Sequence, residues 1–146
     1  MTRVLLDANI FLHAVGGDPV LRPACQRVVA DLAAGRLTGE ASSLMIEEVV
    51  HVRHRRSGDR ALAAGDGRAA AALLVLHSVG EEEVHAALEA FTDHQRMEAR
   101  DAIHVAIARR HGLTTILSTD RAFDGIDGLS RVDPADHAAV AALVRS

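Results

Sequence analysis

The chain contains no lysine, and all sixteen of its basic residues are arginine. That absence removes two classes that could otherwise use acidic residues on a covered sheet. A nucleotide-binding module of the Walker type needs a glycine-rich loop and its lysine, and a phosphoacceptor domain or aspartate-nucleophile phosphatase needs an active-site lysine. Tryptophan and tyrosine are also missing and phenylalanine occurs three times, so stacking of bases on aromatic rings cannot be a major source of affinity. With a formal net charge of −4, the protein does not coat nucleic acid by charge alone. The single cysteine, Cys25, cannot form an intrachain disulfide, which fits a reducing compartment. No apolar run approaches the roughly 18 residues of a membrane span, and no charged-then-apolar leader opens the chain, so a cytoplasmic protein without a membrane segment is expected.

What is present is an alternation of short apolar runs with helical patterns across 146 residues, a length suited to one domain over 1–146. Val4-Leu5-Leu6 reads as a buried strand ending in Asp7, and Ile10 to Ala14 as a short helix stopped by Gly16-Gly17. Asp18-Pro19 gives a cap followed by proline, predicting a helix from Val20 to Ala34. Leu37–Ala41 is a weak second strand, and Ser42-Ser43 caps a helix that ends near Ser57-Gly58. From Asp59 to Leu76 the pattern is helical, with Gly65-Asp66-Gly67 predicting two short helices or a flexible joint. His77–Val79 is read as a third strand, and Glu81-Glu82-Glu83 opens a helix to about Phe91 with acid at its positive end. Ala99–His111 has the spacing of an amphipathic helix, Thr114–Leu117 is a buried strand, and Leu129–Val132 a last one. Asp133-Pro134 repeats the cap-then-proline signal before a final helix, Ala135–Val144. Such alternation implies a parallel sheet covered by helices on both faces.

In this architecture strand ends and helix starts open onto the carboxyl edge of the sheet, where ligands bind. Asp7, one of Glu47 or Glu48, Asp101 and Asp120 all fall at such places. Each alone has a plain structural reading: Asp7 and Asp120 as turn formers or caps, Asp101 as an acid favoured in a first helical turn, Glu47 or Glu48 as an exposed helix acid. Together they place several negative charges in one region, which raises their pKa values and calls for a compensating cation. Hard divalent ions with oxygen ligands, Mg²⁺ or Mn²⁺, answer that need. His51, His54 and His104 have spacings that could chelate a metal, but no HExxH motif occurs and no further nitrogen or sulfur ligand is placed near them; His104 is read as packing or hydrogen-bonding within the fold.

Three segments carry a family resemblance: VLLDANIFL, SSLMIEEVVHV and ARDAIHVAIARRHGLTTILSTDRAFDGIDGLSRVDP. In this order and at these separations the chain resembles the PIN-domain ribonucleases, and within them the VapC-type toxins of toxin–antitoxin pairs, over nearly its whole length. The resemblance implies a three-layer α/β/α fold with five parallel strands in the order 3-2-1-4-5. It implies an acidic quartet at Asp7, Glu48, Asp101 and Asp120, with Asn9 and Ser118 as supporting polar residues and Asp124 as a possible fifth acid. Glu48 is preferred over Glu47 because the family's glutamate precedes an apolar pair, here Val49-Val50. The implied activity is hydrolysis of RNA phosphodiesters dependent on Mg²⁺, with Mn²⁺ able to substitute, the alternative being an inactive scaffold that binds RNA or protein. The implied partners are the RNA substrate, a VapB-like antitoxin that pushes a basic residue into the acidic pocket, and a second copy of the chain. Arg53, Arg55, Arg56 and Arg60 are candidates for holding RNA outside the pocket, or simply for matching the helix dipole.

Overall fold

The computed structural model describes residues 1–146. Strand β1 (Arg3–Leu6) leads into helices α1 (Ala8–Val15) and α2 (Arg22–Ala33), and β2 (Thr38–Ser42) into α3 (Ser43–Ser57) and α4 (Arg60–Ala72). Strand β3 (Leu74–His77) precedes α5 (Glu81–Asp93) and α6 (Ala99–Arg110). Strand β4 (Thr115–Leu117) runs into a 3₁₀ turn, Arg121–Phe123, and β5 (Ser130–Val132) is followed by α7 (His137–Arg145). Every strand pair is parallel and the order is β3-β2-β1-β4-β5, as the resemblance implied. No helix is long and apolar enough to cross a membrane.

Successive residues of a strand face opposite sides of its sheet, and β1 divides the interior accordingly. Val4 and Leu6 enter a core built with α1, α2, α3, α4 and α7, while Leu5 enters a second core with α5 and α6. Both faces of β1 are therefore dry, which is why it reads as an unbroken apolar run. Helix α6 is buried almost all round, through Ala102, His104, Val105, Ala106, Ile107 and Ala108. The amphipathic stripe expected of it is absent because it lies against both the sheet and α5.

Both cap-then-proline signals lie a few residues ahead of their helices. Asp18 Oδ1 accepts from the Val20 N–H at 2.9 Å, and Asp133 Oδ1 from the Ala135 N–H at 2.9 Å. A carboxylate that bonds two residues ahead closes a turn instead of opening a helix. Helix α2 starts at Arg22, and α7 is capped by Asp136 through the Ala139 N–H. Strand β3 comprises Leu74–His77, earlier than the expected His77–Val79, because its apolar residues continue the helical pattern before them.

The glycine pair in α4 makes no joint, and the helix is continuous. Asp66 is held by Arg53 of α3 at 2.6 Å. Gly67 sits where an added Cβ would lie 2.5 Å from Val50 Cγ2, so α3 and α4 pack closely at this point; Gly65 has nothing within 4 Å of the same position.

Candidate active site

The registers of β1 and β4 set the centre of the site. Leu6 pairs with Leu117, so the next residues, Asp7 and Ser118, emerge side by side at the carboxyl edge. Ser118 Oγ donates to Asp7 Oδ2 at 2.6 Å, and Asn9 Nδ2 donates to the same oxygen at 3.1 Å. The Asp120 N–H donates to Ser118 Oγ at 3.0 Å, and Asn9 Oδ1 accepts from the Thr119 N–H. Asn9, Ser118 and Thr119 thus tie the end of β1 to the end of β4 and fix the direction of the Asp7 carboxylate.

Two helices bring the other acids. Ser42 caps α3 by accepting from the Met45 N–H, and Glu48 then falls early in that helix, half-buried and facing the site. A ligand-capable oxygen of Asp7, one of Glu48 and a ring nitrogen of His104 lie within 4.8 Å of one another. Glu47 is exposed at the outer wall of a cavity of about 300 Å³ that Glu48, His51, Arg100, Ile103 and His104 also line. From the other side of the sheet, α6 delivers Asp101 in its first turn, buried.

Some of the plain structural roles are real. Asp101 Oδ2 accepts from the Glu98 N–H at 3.2 Å, and Asp120 Oδ1 accepts from the Ala122 N–H at 2.9 Å. Each of these carboxylates spends one oxygen as a cap and keeps the other. Asp124 is placed differently: it is paired with Arg131 at 2.7 Å, which holds its carboxyl below the usual range, and Arg131 also bonds the Ser118 carbonyl. Arg53 is committed to Asp66, whereas Arg55, Arg56 and Arg60 are exposed.

The pKa of Asp101 is raised to about 6, chiefly by burial, with the charges of Asp7 and Asp120 adding and the Glu98 N–H and His104 opposing. Asp7 is also raised, chiefly by burial with Glu48 adding, while His104 and the Ser118 hydroxyl pull the other way. Carboxylates in this condition gain from a cation. The arginine seated on them is Arg100, whose Nη1 donates to Glu48 at 2.9 Å. Carboxylates are hard, anionic donors of the kind that suit a divalent ion, and the group of ligand atoms that lie within 4.8 Å of one another comes from Asp7, Glu48 and His104.

Arg100 and Arg131 are the residues that sequence reasoning passed over, and His104, read there as packing or hydrogen-bonding within the fold, lies at the site itself. The position of Arg100 beside Asp101 was visible, but its reach across to Glu48 depends on how α6 sits against α3. For His104 the three-residue spacing from Asp101 was the available signal, since such pairs share a helix face.

A parallel sheet with helices on both faces and acids gathered at its carboxyl edge is an architecture of α/β proteins that handle ligands at that edge. Residues 4–129 match the PIN domain family, and the chain belongs to it. Within that family its relatives are VapC ribonucleases. Ribonuclease VapC7 of Mycobacterium tuberculosis is 32% identical over 133 residues, covering 90% of this chain and 91% of its own. Among solved structures, a toxin–antitoxin complex from Klebsiella pneumoniae aligns with a TM-score of 0.66 at 20% identity, over 90% of this chain and 97% of that one. Mycobacterium tuberculosis VapC20, described as a sarcin–ricin loop cleaving toxin, aligns with a TM-score of 0.64 at 21% identity, over 86% and 92%.

Proposed function

We propose that this protein is a divalent-metal-dependent endoribonuclease and the toxin of a toxin–antitoxin pair. The observation that carries the reading is the gathering of Asp7, Glu48 and Asp101 at one edge of the sheet, with the pKa values of Asp7 and Asp101 raised. Asp7, Glu48, Asp101 and Asp120 would hold Mg²⁺ or Mn²⁺. A bound ion supplies charge neutralisation at the phosphate and activation of water for attack on phosphorus. The chain's own contribution is positional. Ser118 and Asn9 orient Asp7, the cap bonds orient Asp101 and Asp120, and no side chain need act as nucleophile. RNA approaches through the ion and through arginines further out, with exposed Arg55, Arg56 and Arg60 the candidates on this side.

The partners in this reading are an RNA substrate, a VapB-like antitoxin that presents a basic residue to the acidic pocket, and a second copy of the chain. The relatives are named ribonucleases, and one fold neighbour is a toxin–antitoxin complex. The Arg100–Glu48 pair favours the alternative of a binding scaffold without turnover, because it partly neutralises the site. Cleavage of RNA that requires Mg²⁺ or Mn²⁺ and is abolished by EDTA supports the enzyme. Cleavage undiminished in chelator, with protein free of contaminating nuclease, overturns the metal mechanism, and no cleavage with either ion selects the scaffold.

A further inference from the structure

The acids account for three sides of the site and leave His104 unexplained. It is 2% exposed, and the ring nitrogen Nδ1 is buried without a protein partner. Nε2 faces Asp7 Oδ1 at 3.8 Å, beyond the reach of a hydrogen bond. The ring meets Phe123 edge-on, with centroids 6.1 Å apart and planes at 64°, so its orientation is set by packing.

The same separation that is too long for a hydrogen bond suits two ligands of one ion. Ligand atoms each about 2.1 Å from a metal stand about 3.0 Å apart at right angles and about 4.2 Å apart across it. The 3.8 Å between His104 Nε2 and Asp7 Oδ1 falls in that range, and an oxygen of Glu48 lies within 4.8 Å of both residues' ligand atoms, a spread that a small side-chain adjustment closes around one ion. Asp101, three residues before His104 on the same helix, stands beside them. Resting on the metal-dependent reading above, we propose that His104 is a direct nitrogen ligand of the ion held by Asp7 and Glu48. The site is then a mixed nitrogen and oxygen set, not an all-carboxylate one.

The consequence is metal choice. Mg²⁺ prefers oxygen ligands, whereas imidazole favours first-row transition ions. The protein should therefore bind Mn²⁺ in preference to Mg²⁺, with His104 as the cause.

Pulsed electron paramagnetic resonance on the full chain loaded with Mn²⁺ alone reads this directly, because a bound imidazole couples its ¹⁴N nucleus to the electron spin. The wild type should give that coupling, His51→Gln should keep it, and His104→Gln should lose it. Calorimetry without RNA should show Mn²⁺ affinity reduced on the order of tenfold to a hundredfold in His104→Gln, with a smaller change for Mg²⁺. Mn²⁺ bound by the wild type without ¹⁴N coupling overturns the role of His104 and leaves the metal-dependent nuclease standing. Coupling that persists in folded His104→Gln overturns it equally, and a wild type that binds no Mn²⁺ overturns both readings. Should His104→Gln not fold, the wild-type spectrum still decides, with His51→Gln and His54→Gln excluding the other histidines of the neighbouring helix.

Discussion

Two carboxylates buried at this sheet have opposite surroundings. Glu40, in the middle of β2, is 3% exposed and Asp7, just past the end of β1, is 6% exposed. Burial would raise both. Glu40 is nevertheless held below its ordinary pKa, because Arg3 donates to it through Nε at 2.6 Å and Nη2 at 3.1 Å, and His77 Nε2 lies 2.7 Å away. Asp7 receives a hydroxyl and an amide, and its pKa stays raised. The first carboxylate is neutralised where it stands and serves the fold, joining three strands. The second is oriented by neutral groups and has no arginine on it, which is the condition the proposed metal site requires.

The largest test of that contrast is Asp101→Asn. It keeps the shape of a side chain that shares the surroundings of Asp7, and it should lower RNA cleavage by orders of magnitude while raising the melting temperature in chelator, as one repelling charge is removed. A folded variant with wild-type turnover would place the chemistry elsewhere. Next in size is the comparison of Glu48→Gln with Glu47→Gln. The former should weaken Mn²⁺ binding and cleavage together, and the latter should change either little, since Glu47 is exposed about 100° around the helix. Loss confined to Glu47→Gln would reverse the assignment.

Glu40→Ala should act on stability alone. It removes the buried carboxylate that Arg3 and His77 both hold, while the half-exposed Arg3 left behind stays hydrated, so the loss should be clear but smaller than that of stranding a buried charge. Denaturant unfolding measures it, and metal affinity in the surviving folded fraction should be unchanged. The smallest effect is the response to pH in chelator. The raised pKa of Asp101 costs the folded state stability that builds up as pH rises from the ordinary 3.8 to about 6, so the melting-temperature advantage of Asp101→Asn should hold steady above about 6 and shrink as pH falls from about 6 to about 5. Glu40 is depressed, so its contribution is complete above its ordinary pKa of 4.5 and lost only as pH falls through the lower folded value. The deficit of Glu40→Ala should therefore hold constant over the first window and narrow only in stronger acid. An advantage of Asp101→Asn that is flat over that window would contradict the burial of Asp101.

The difference between these carboxylates was only half legible in the sequence. Asp7, Asp101 and Asp120 stand at changes of periodicity, where an apolar run ends or a helical pattern begins, and parallel topology sends all such places to one edge. Glu40 had no comparable signal, since its partners Arg3 and His77 come from strands whose register appears only in the folded sheet. Arg100 reaches Glu48 across two helical layers for the same reason. The displaced starts of α2 and α7 follow from a local competition. An aspartate before proline can close a turn or open a helix, and the choice rests on which N–H reaches its oxygen.

The glycines of α4 have one further consequence. Glycine within a helix costs up to about 1 kcal/mol relative to alanine, and the two positions differ in what that cost obtains. At Gly65 there is open space, so Gly65→Ala should stabilise the protein by about 0.5–1 kcal/mol in thermal unfolding. At Gly67 a methyl group would collide with the stiff, β-branched Val50 of α3. Relief of that collision displaces Val50 or widens the spacing of α4 from α3, the helix that carries Glu48. The spacing of two helices on the outer layer is thus mechanically continuous with the separation of carboxylates at the sheet edge, and a single methyl that touches none of the site's acids would detune it.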